Sequence, residues 1–290
     1  MMNKYKIFDA HCDTLCRLAD LGGTISKNTY NVDIESTTGY ESYTQVFACF
    51  IAPEYDDNAK DRFKKLKECY DMQNFRGIRP MLSLEGGMMI KSLEDVEYLK
   101  SCGVRCAALT WNFSNHIAGG VLGEGRLTEF GKSVVRKMND IDILVDVSHL
   151  NDKSFYDVAK ISTKPIIATH SNSRHCCCHP RNLTDDMFNI IKDSGGCVGM
   201  NFYPMFVTNT TQCTVYDIVR HIDHFMSLDG ENSVGIGSDF DGTDDCLPDE
   251  IKNCGDTYKL LDKLADGGYG TELTEKISHL NFKRVFGEVE

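Results

Sequence analysis

Eight short runs of apolar residues, rich in Val, Ile, Leu, Phe and Tyr, recur along the 290 residues at 5–9, 43–51, 80–84, 104–109, 143–147, 165–169, 196–202 and 233–237. Runs of this length and composition predict buried strands. The intervals between them carry a helical period instead. After Thr128 the segment EFGKSVVRKM puts Phe130, Val134, Val135 and Met138 on one face, and Thr128 is a residue type that caps a helix start. Further helices are predicted after Asn151, Thr184, Thr214 and Thr271, and eight helical segments alternate with the eight strands. No repeat, low-complexity tract or proline-rich linker interrupts this order, so one parallel sheet in a single domain over residues 1–290 is expected.

Candidate chemistry gathers at the downstream ends of the runs. His11 and Asp13 in FDAHCDT, Glu85 in LSLEGG, His149 in VDVSHL, His170 in IATHSN and Asp239 in GIGSDFDG each sit at or just beyond such an end. The two-residue spacing of His11 and Asp13 predicts side chains on the same face of an extended strand. An open doubly wound sheet and a closed barrel both collect functional groups at strand carboxyl ends. Here the candidates follow strands one, three, five, six and eight, and only a closed ring sets the first beside the eighth. The expected fold class is therefore α/β, a (β/α)8 barrel of the TIM type.

A lone histidine at a strand end is usually a hydrogen-bonded structural residue. Several histidines and carboxylates converging on one face are better explained by divalent cations, which supply the positive partner that buried Asp13 and Glu85 need. Histidine and carboxylate ligands without cysteine suit zinc, with manganese, cobalt or iron as alternatives. Glu85 has two oxygens and could bridge two ions about 3.5 Å apart. Gly86 and Gly87 beside it allow close backbone approach.

Charge narrows the partners. With 43 acidic and 31 basic side chains the net charge is -12, which disfavours nucleic acid and anionic membranes and leaves small solutes. The first residues hold no apolar stretch long enough for a signal peptide, nothing downstream reaches a membrane-spanning length, and a cytoplasmic location is expected. The 13 cysteines are odd in number and scattered, so reduced thiols are expected, with Cys49, Cys102, Cys106 and Cys197 acting as small hydrophobes. The run from His175 to His179 encloses three consecutive cysteines. Three adjacent residues do not readily aim at one ion, and a loop lining or covering the pocket is expected over a further metal site.

In this order the motifs DAHCDT, SLEGG, LTWN, LTEFGKSVVRKMN, DVSH, THSNSR, HPRNLTDD, GIGSDFDG and NFKRVF resemble the membrane dipeptidase family of zinc peptidases, nearly end to end. The resemblance implies a barrel of the metallo-dependent hydrolase kind with two zinc ions per chain, one held by His11, Asp13 and Glu85 and the other by Glu85, His149 and His170. It also implies that a metal-activated hydroxide attacks the peptide carbonyl of a dipeptide. Asp239 would hold the substrate's amino group and pass a proton to the leaving amine, and Arg181 would bind its free carboxylate, with Tyr203 adding a hydrogen bond. Substrates with a D-residue at the carboxyl end are implied, as is a homodimer. The segment FKRVFGEVE shows no lipid-anchor signal, so the membrane attachment of mammalian relatives is not carried over. Amidohydrolases with an HxH opening look related, but His11 and Asp13 make HxD here.

One position departs from the family pattern. Mammalian members have LTH, with a histidine that steadies the oxyanion, whereas this chain has Trp111 there. Trp donates one N–H and carries no positive charge. Asn112, Asn115 or His116 could supply the contact, and His116 is the expected substitute as the other imidazole of that loop. The departure keeps a metal-dependent amidase or lactonase open as the alternative function, and a non-catalytic scaffold is the weaker third reading.

Other signals are read as structural. GEGRLTEFGKS has the wrong spacing for a phosphate loop and reads as a capped helix start. His221 and His224 are expected on a helix in supporting roles. Of the acids Asp239, Asp241, Asp244 and Asp245, the later three are expected to form a solvated rim.

Overall fold

In the computed structural model, which describes residues 5–287, all eight apolar runs form strands: β1 Lys6–Cys12, β2 Ser42–Phe50, β3 Arg79–Glu85, β4 Val104–Ala108, β5 Leu144–Asp146, β6 Ile166–Ala168, β7 Cys197–Met200 and β8 Val234–Ile236. Each pairs in parallel with the next, and Asp9 of β1 pairs with Ile236 of β8 to close the barrel. Residues 1–4 and 288–290, parts of the terminal segments on which the targeting and lipid-anchor expectations rest, lie outside the described residues.

The predicted caps form. Thr128, Asn151 and Thr184 each accept a hydrogen bond from a first-turn amide of helices Glu129–Asp140, Asp152–Ile161 and Asp185–Asp193, and Thr214 closes a capping box with Asp217 at the start of Val215–Met226. In the first of these Val134, Val135 and Met138 are buried as the period requires, with Phe130 half-buried beside them. The segment after Thr271 is irregular: a short helix Thr271–Glu275 passes through a π-turn, Lys276–Leu280, into Asn281–Phe286.

This last helix plugs the lower end of the barrel. Phe282 and Phe286 pack with Phe8, Ala10, Val46, Met81, Cys106, Ile167 and Cys197, residues contributed by six strands. The rings of Phe8 and Phe282 stack at 5.7 Å. Among the described residues no helix is long and apolar enough to cross a membrane. All 13 cysteines are free thiols, and Cys49, Cys106 and Cys197 are buried as expected.

The strand geometry corrects one expectation. The pairing of β1 with β2 slips between Asp9 and Cys12. Asp13 lies beyond the strand at φ -100° and ψ 9°, as the residue before helix Thr14–Leu21. His11 and Asp13 therefore converge through a strand-to-helix turn rather than through strand alternation.

Candidate active site

Glu85 is the last residue of β3, and His149, His170 and Asp239 follow β5, β6 and β8 by two or three residues, so the barrel's upper opening receives them all together with His11 of β1. His149 and Asp239 have positive φ, 71° and 64°. A histidine rarely adopts this conformation unless its surroundings impose it.

Glu85 divides its two oxygens. Its Oε2 is 3.4 Å from His11 Nε2, while Oε1 is 2.8 Å from His149 Nε2 and 3.7 Å from His170 Nε2. Two groups of ligand atoms result, His11 with Asp13 and Glu85 and Glu85 with His149 and His170, each with its atoms within 4.8 Å of one another. A third grouping of His11, His170 and Asp239 overlaps both.

Several polar atoms here are poorly satisfied by protein alone. His11 Nε2 is buried and makes no hydrogen bond, although Asp13 Oδ2 at 3.6 Å and Asp239 Oδ1 at 3.7 Å stand beside it with Glu85. Asp13 Oδ1 also lacks a partner. His149 Nδ1 lies 2.9 Å from Asn112 Oδ1, an acceptor, so Nδ1 carries the proton. Thr169 Oγ1 donates to Asp146 and is 2.8 Å from His170 Nδ1, so that nitrogen donates too. Both Nε2 atoms then present lone pairs, only 2.9 Å apart and beside a carboxylate oxygen. Such an arrangement is repulsive. Arg181 Nη2, 3.1 Å from His149 Nε2, relieves this repulsion on one side only; a shared cation would relieve it for both imidazoles, and imidazole with carboxylate is a zinc-type donor set. The residues present fit a metal centre.

The electrostatics agree with that fit. Burial, reinforced by the charges of Asp13 and Glu85 and opposed by His11, pushes the Asp239 carboxyl up to about 7. Burial and the Glu85 charge raise Asp13 to about 6. Burial opposes charge on Glu85 as well, but His11 outweighs it and holds that carboxyl below its ordinary range. His11 is raised, since Glu85 and Asp13 overcome its burial. Burial and the Arg181 charge bring His149 down to about 4, and burial with the His11 charge lowers His170. The short contact between His149 and Glu85 therefore involves a neutral imidazole and is not an ion pair.

A cleft of about 520 Å³ opens above these groups, walled by Phe50, Trp111, Tyr203 and Phe206 with Arg181 and Asp239 facing it. The Arg181 side chain is 5 % exposed. Its Nη2 donates to His149 Nε2 at 3.1 Å and to the His170 carbonyl at 3.3 Å, its Nε has no partner, and its guanidinium lies 5.3 Å from the Phe206 ring. Among the described residues no carboxylate is in ion-pair contact with it. A buried fork with an idle N–H suits an incoming carboxylate. Tyr203 lines the cleft, but its hydroxyl donates to Asp244 at 3.5 Å.

Two expectations are corrected. His116 is exposed, its Nε2 is 2.6 Å from the Ile90 carbonyl and its ring stacks on Phe130, so it is absent from the cleft wall. Asn112, four residues nearer the strand than His116, reaches the site instead by orienting His149. Asp241 is no solvated rim: it is buried, accepts from Thr14 Oγ1 and from the Asn31 amide at 3.0 Å, and ties the β8 loop to the end of β1. Asp244 and Asp245 are exposed as expected.

Supporting residues were missed in the sequence. Asn201 donates to Asp239 Oδ2 at 2.9 Å, and Asp9 accepts from the Ser238 amide at 2.9 Å, fixing the β8 loop. Asn201 directly follows β7, and a polar side chain inside the apolar run 196–202 was its available signal. At Gly242 a Cβ would stand 2.3 Å from Asp13 Oδ2 and 2.4 Å from Asp239 Oδ1, so glycine keeps the space between two carboxylates. The run from His175 to His179 is a loop, with Cys178 exposed and His179 facing the cleft. His221 is structural, accepting from the Ser173 amide at 3.0 Å.

Comparison with known proteins gives a concordant result. Residues 57–290 match the model of the membrane dipeptidase family, peptidase family M19. The chain is 36% identical over 207 residues to an uncharacterised protein from the pqqA 5′ region of Klebsiella pneumoniae, covering 67% of this chain and 76% of that one. It is 31% identical over 221 residues to an uncharacterised dipeptidase of Schizosaccharomyces pombe, covering 73% of this chain and 54% of that one, so it spans about half the length of that relative. The crystal structure of a metallopeptidase from Rhodobacter sphaeroides, liganded with a phosphinate mimic of the dipeptide L-Ala-D-Ala, matches its fold with a TM-score of 0.86 at 24% identity, covering 98% of this chain and 99% of that one.

Proposed function

The chain belongs to the membrane dipeptidase family, peptidase family M19, and is a metallo-dipeptidase; within that class we propose that it is one barrel domain using two zinc ions to hydrolyse dipeptides, including those with a carboxyl-terminal D-residue. The observation that carries the reading is Glu85, whose oxygens face two separate groups of ligand atoms. His11, Asp13 and Glu85 would hold one ion, and Glu85, His149 and His170 the other. Bound there, the pair supplies a water of lowered pKa and polarises the scissile carbonyl.

The chain's own residues supply position and proton traffic. Arg181 reads the free carboxylate through its idle N–H, and its burial makes that contact strong and directional. Asp239, held at Oδ2 by Asn201, receives the substrate's amino group with Oδ1. As a carboxylate beside the reacting centre it can also carry a proton to the leaving amine. Asn112 and Thr169 fix the tautomers of His149 and His170, so their Nε2 atoms stay available as ligands. Two charged anchors at opposite ends of the substrate favour dipeptides over longer peptides. The ligand of the Rhodobacter sphaeroides structure makes L-Ala-D-Ala the first substrate to test.

Zinc-replete enzyme should release free amino acids from an L,D-dipeptide panel that includes L-Ala-D-Ala, and metal analysis should find about two zinc per chain. Turnover of N-acyl amino acids or acyl-homoserine lactones with no dipeptide cleaved would overturn the substrate reading. One zinc or none in active enzyme would overturn the paired centre.

A further inference from the structure

We propose that His175, Asp185 and His224 form a separate, peripheral site for a late first-row divalent cation such as Ni2+, Cu2+ or Zn2+. Each offers one ligand atom, and the three atoms lie within 4.8 Å of one another. His224 stands in the last turn of helix Val215–Met226 and Asp185 opens helix Asp185–Asp193; His224 Nε2 and Asp185 Oδ1 meet at 2.7 Å. His175 arrives from the loop after β6, and its ring lies flat on that of His224, with centroids 4.2 Å apart and planes at 6°.

Helix-end electrostatics explain part of this cluster. A carboxylate is favoured at a helix N-terminus and an imidazole at a C-terminus, and their hydrogen bond follows. They do not explain the second imidazole, which comes from a different segment and is exposed. Two imidazoles and a carboxylate prefer Zn, Ni or Cu to Mg or Ca, and solvent completes the coordination of such open sites. Parallel rings do not aim their lone pairs at one point, so binding requires His175 to turn out of the stack, which its exposure permits. The neighbouring thiols point elsewhere: Cys176 Sγ to the Arg220 carbonyl at 3.5 Å and Cys177 Sγ to the Met205 carbonyl at 3.7 Å.

The location gives the site a consequence. The loop that carries His175 also carries His179 and Arg181, both facing the cleft. Its inner side is already fastened, by Ser173 to His221 and by Asn182 to the Cys177 and Phe206 carbonyls. A cation on His175 would tie its outer edge to two barrel helices and stabilise the fold by mass action.

The test is titration of zinc-loaded enzyme with Ni2+, followed by analysis of both metals. The expected result is a further equivalent of nickel with zinc retained and a raised melting temperature, with affinity weakened about tenfold or more in His175→Ala. His175 is exposed and outside the hydrolytic centre, so this variant should keep its fold and its dipeptidase activity. Uptake of nickel only in exchange for zinc, or equal nickel affinity in His175→Ala, His224→Ala and the unaltered chain, would overturn the proposal.

Discussion

At the lower end of the barrel, Phe282 and Phe286 close over Phe8, Met81 and Ile167, and the packing is apolar throughout. At the upper end, within the same eight strands, three histidines and three carboxylates are crowded together, His149, Asp239 and Asp241 have positive φ, and buried atoms such as His11 Nε2 lack hydrogen bonds. The lower end gains stability from burying carbon surface. The upper end gives it up, because desolvated like charges and facing lone pairs cost free energy that only a bound cation or substrate offsets. One barrel thus separates the work of holding the fold from the work of the site, as the division between the two faces of such barrels leads one to expect.

Substitution at the centre of the upper end should be the most damaging to chemistry. Glu85→Gln is expected to lower kcat/KM by about four orders of magnitude and to reduce the bound metal, with the circular dichroism spectrum unchanged. A variant that keeps both its metal and its rate would remove Glu85 from the bridging role. Phe282→Ala is the counterpart below: a loss of about 3–5 kcal/mol in denaturant unfolding, with kcat of the folded protein within about twofold. If kcat fell while stability held, the two ends would not be independent.

Arg181→Met should raise KM for a dipeptide about a hundredfold, and the KM of the corresponding dipeptide amide much less, because the amide has no carboxylate to lose. Equal effects on both substrates would assign Arg181 a structural role. Smaller still is the pH response of chelator-treated protein. Asp13 and Asp239, raised to about 6 and about 7, keep protons in the fold that the unfolded chain has released above 3.8. Their contribution is complete below about 3.8 and is lost as pH rises through 6 and 7; His11, also raised, acts in the same direction. His149, His170 and His221, lowered by burial, act oppositely where unfolded histidine titrates, within about one unit of 6.5, and offset part of that loss. Melting temperature should therefore fall by at least about 2 °C between pH 6.5 and 8, and zinc should abolish the trend. A flat profile in calorimetry would mean that these carboxyls titrate normally. His116→Ala, whose side chain meets Ile90 and Phe130 away from the cleft, should leave kcat/KM within about twofold.

The barrel and the metal-capable residues were legible in the sequence because each rests on a local signal. Eight apolar runs of strand length with helical period between them fix the order of elements, and capping residues such as Thr128, Asn151 and Thr184 mark helix starts that are decided within a few residues. Placement at strand ends then singled out His11, Glu85, His149, His170 and Asp239. What tertiary structure alone decided is direction and partnership. Asp13 reaches the site through a turn, His116 turns outward to Ile90, Asp241 is drawn into a network with Thr14 and Asn31, and Asn112 and Asn201 face inward. Such side chains come to rest where partners from distant segments satisfy their polar atoms at lowest cost, and that choice depends on the closed barrel rather than on neighbours in the chain.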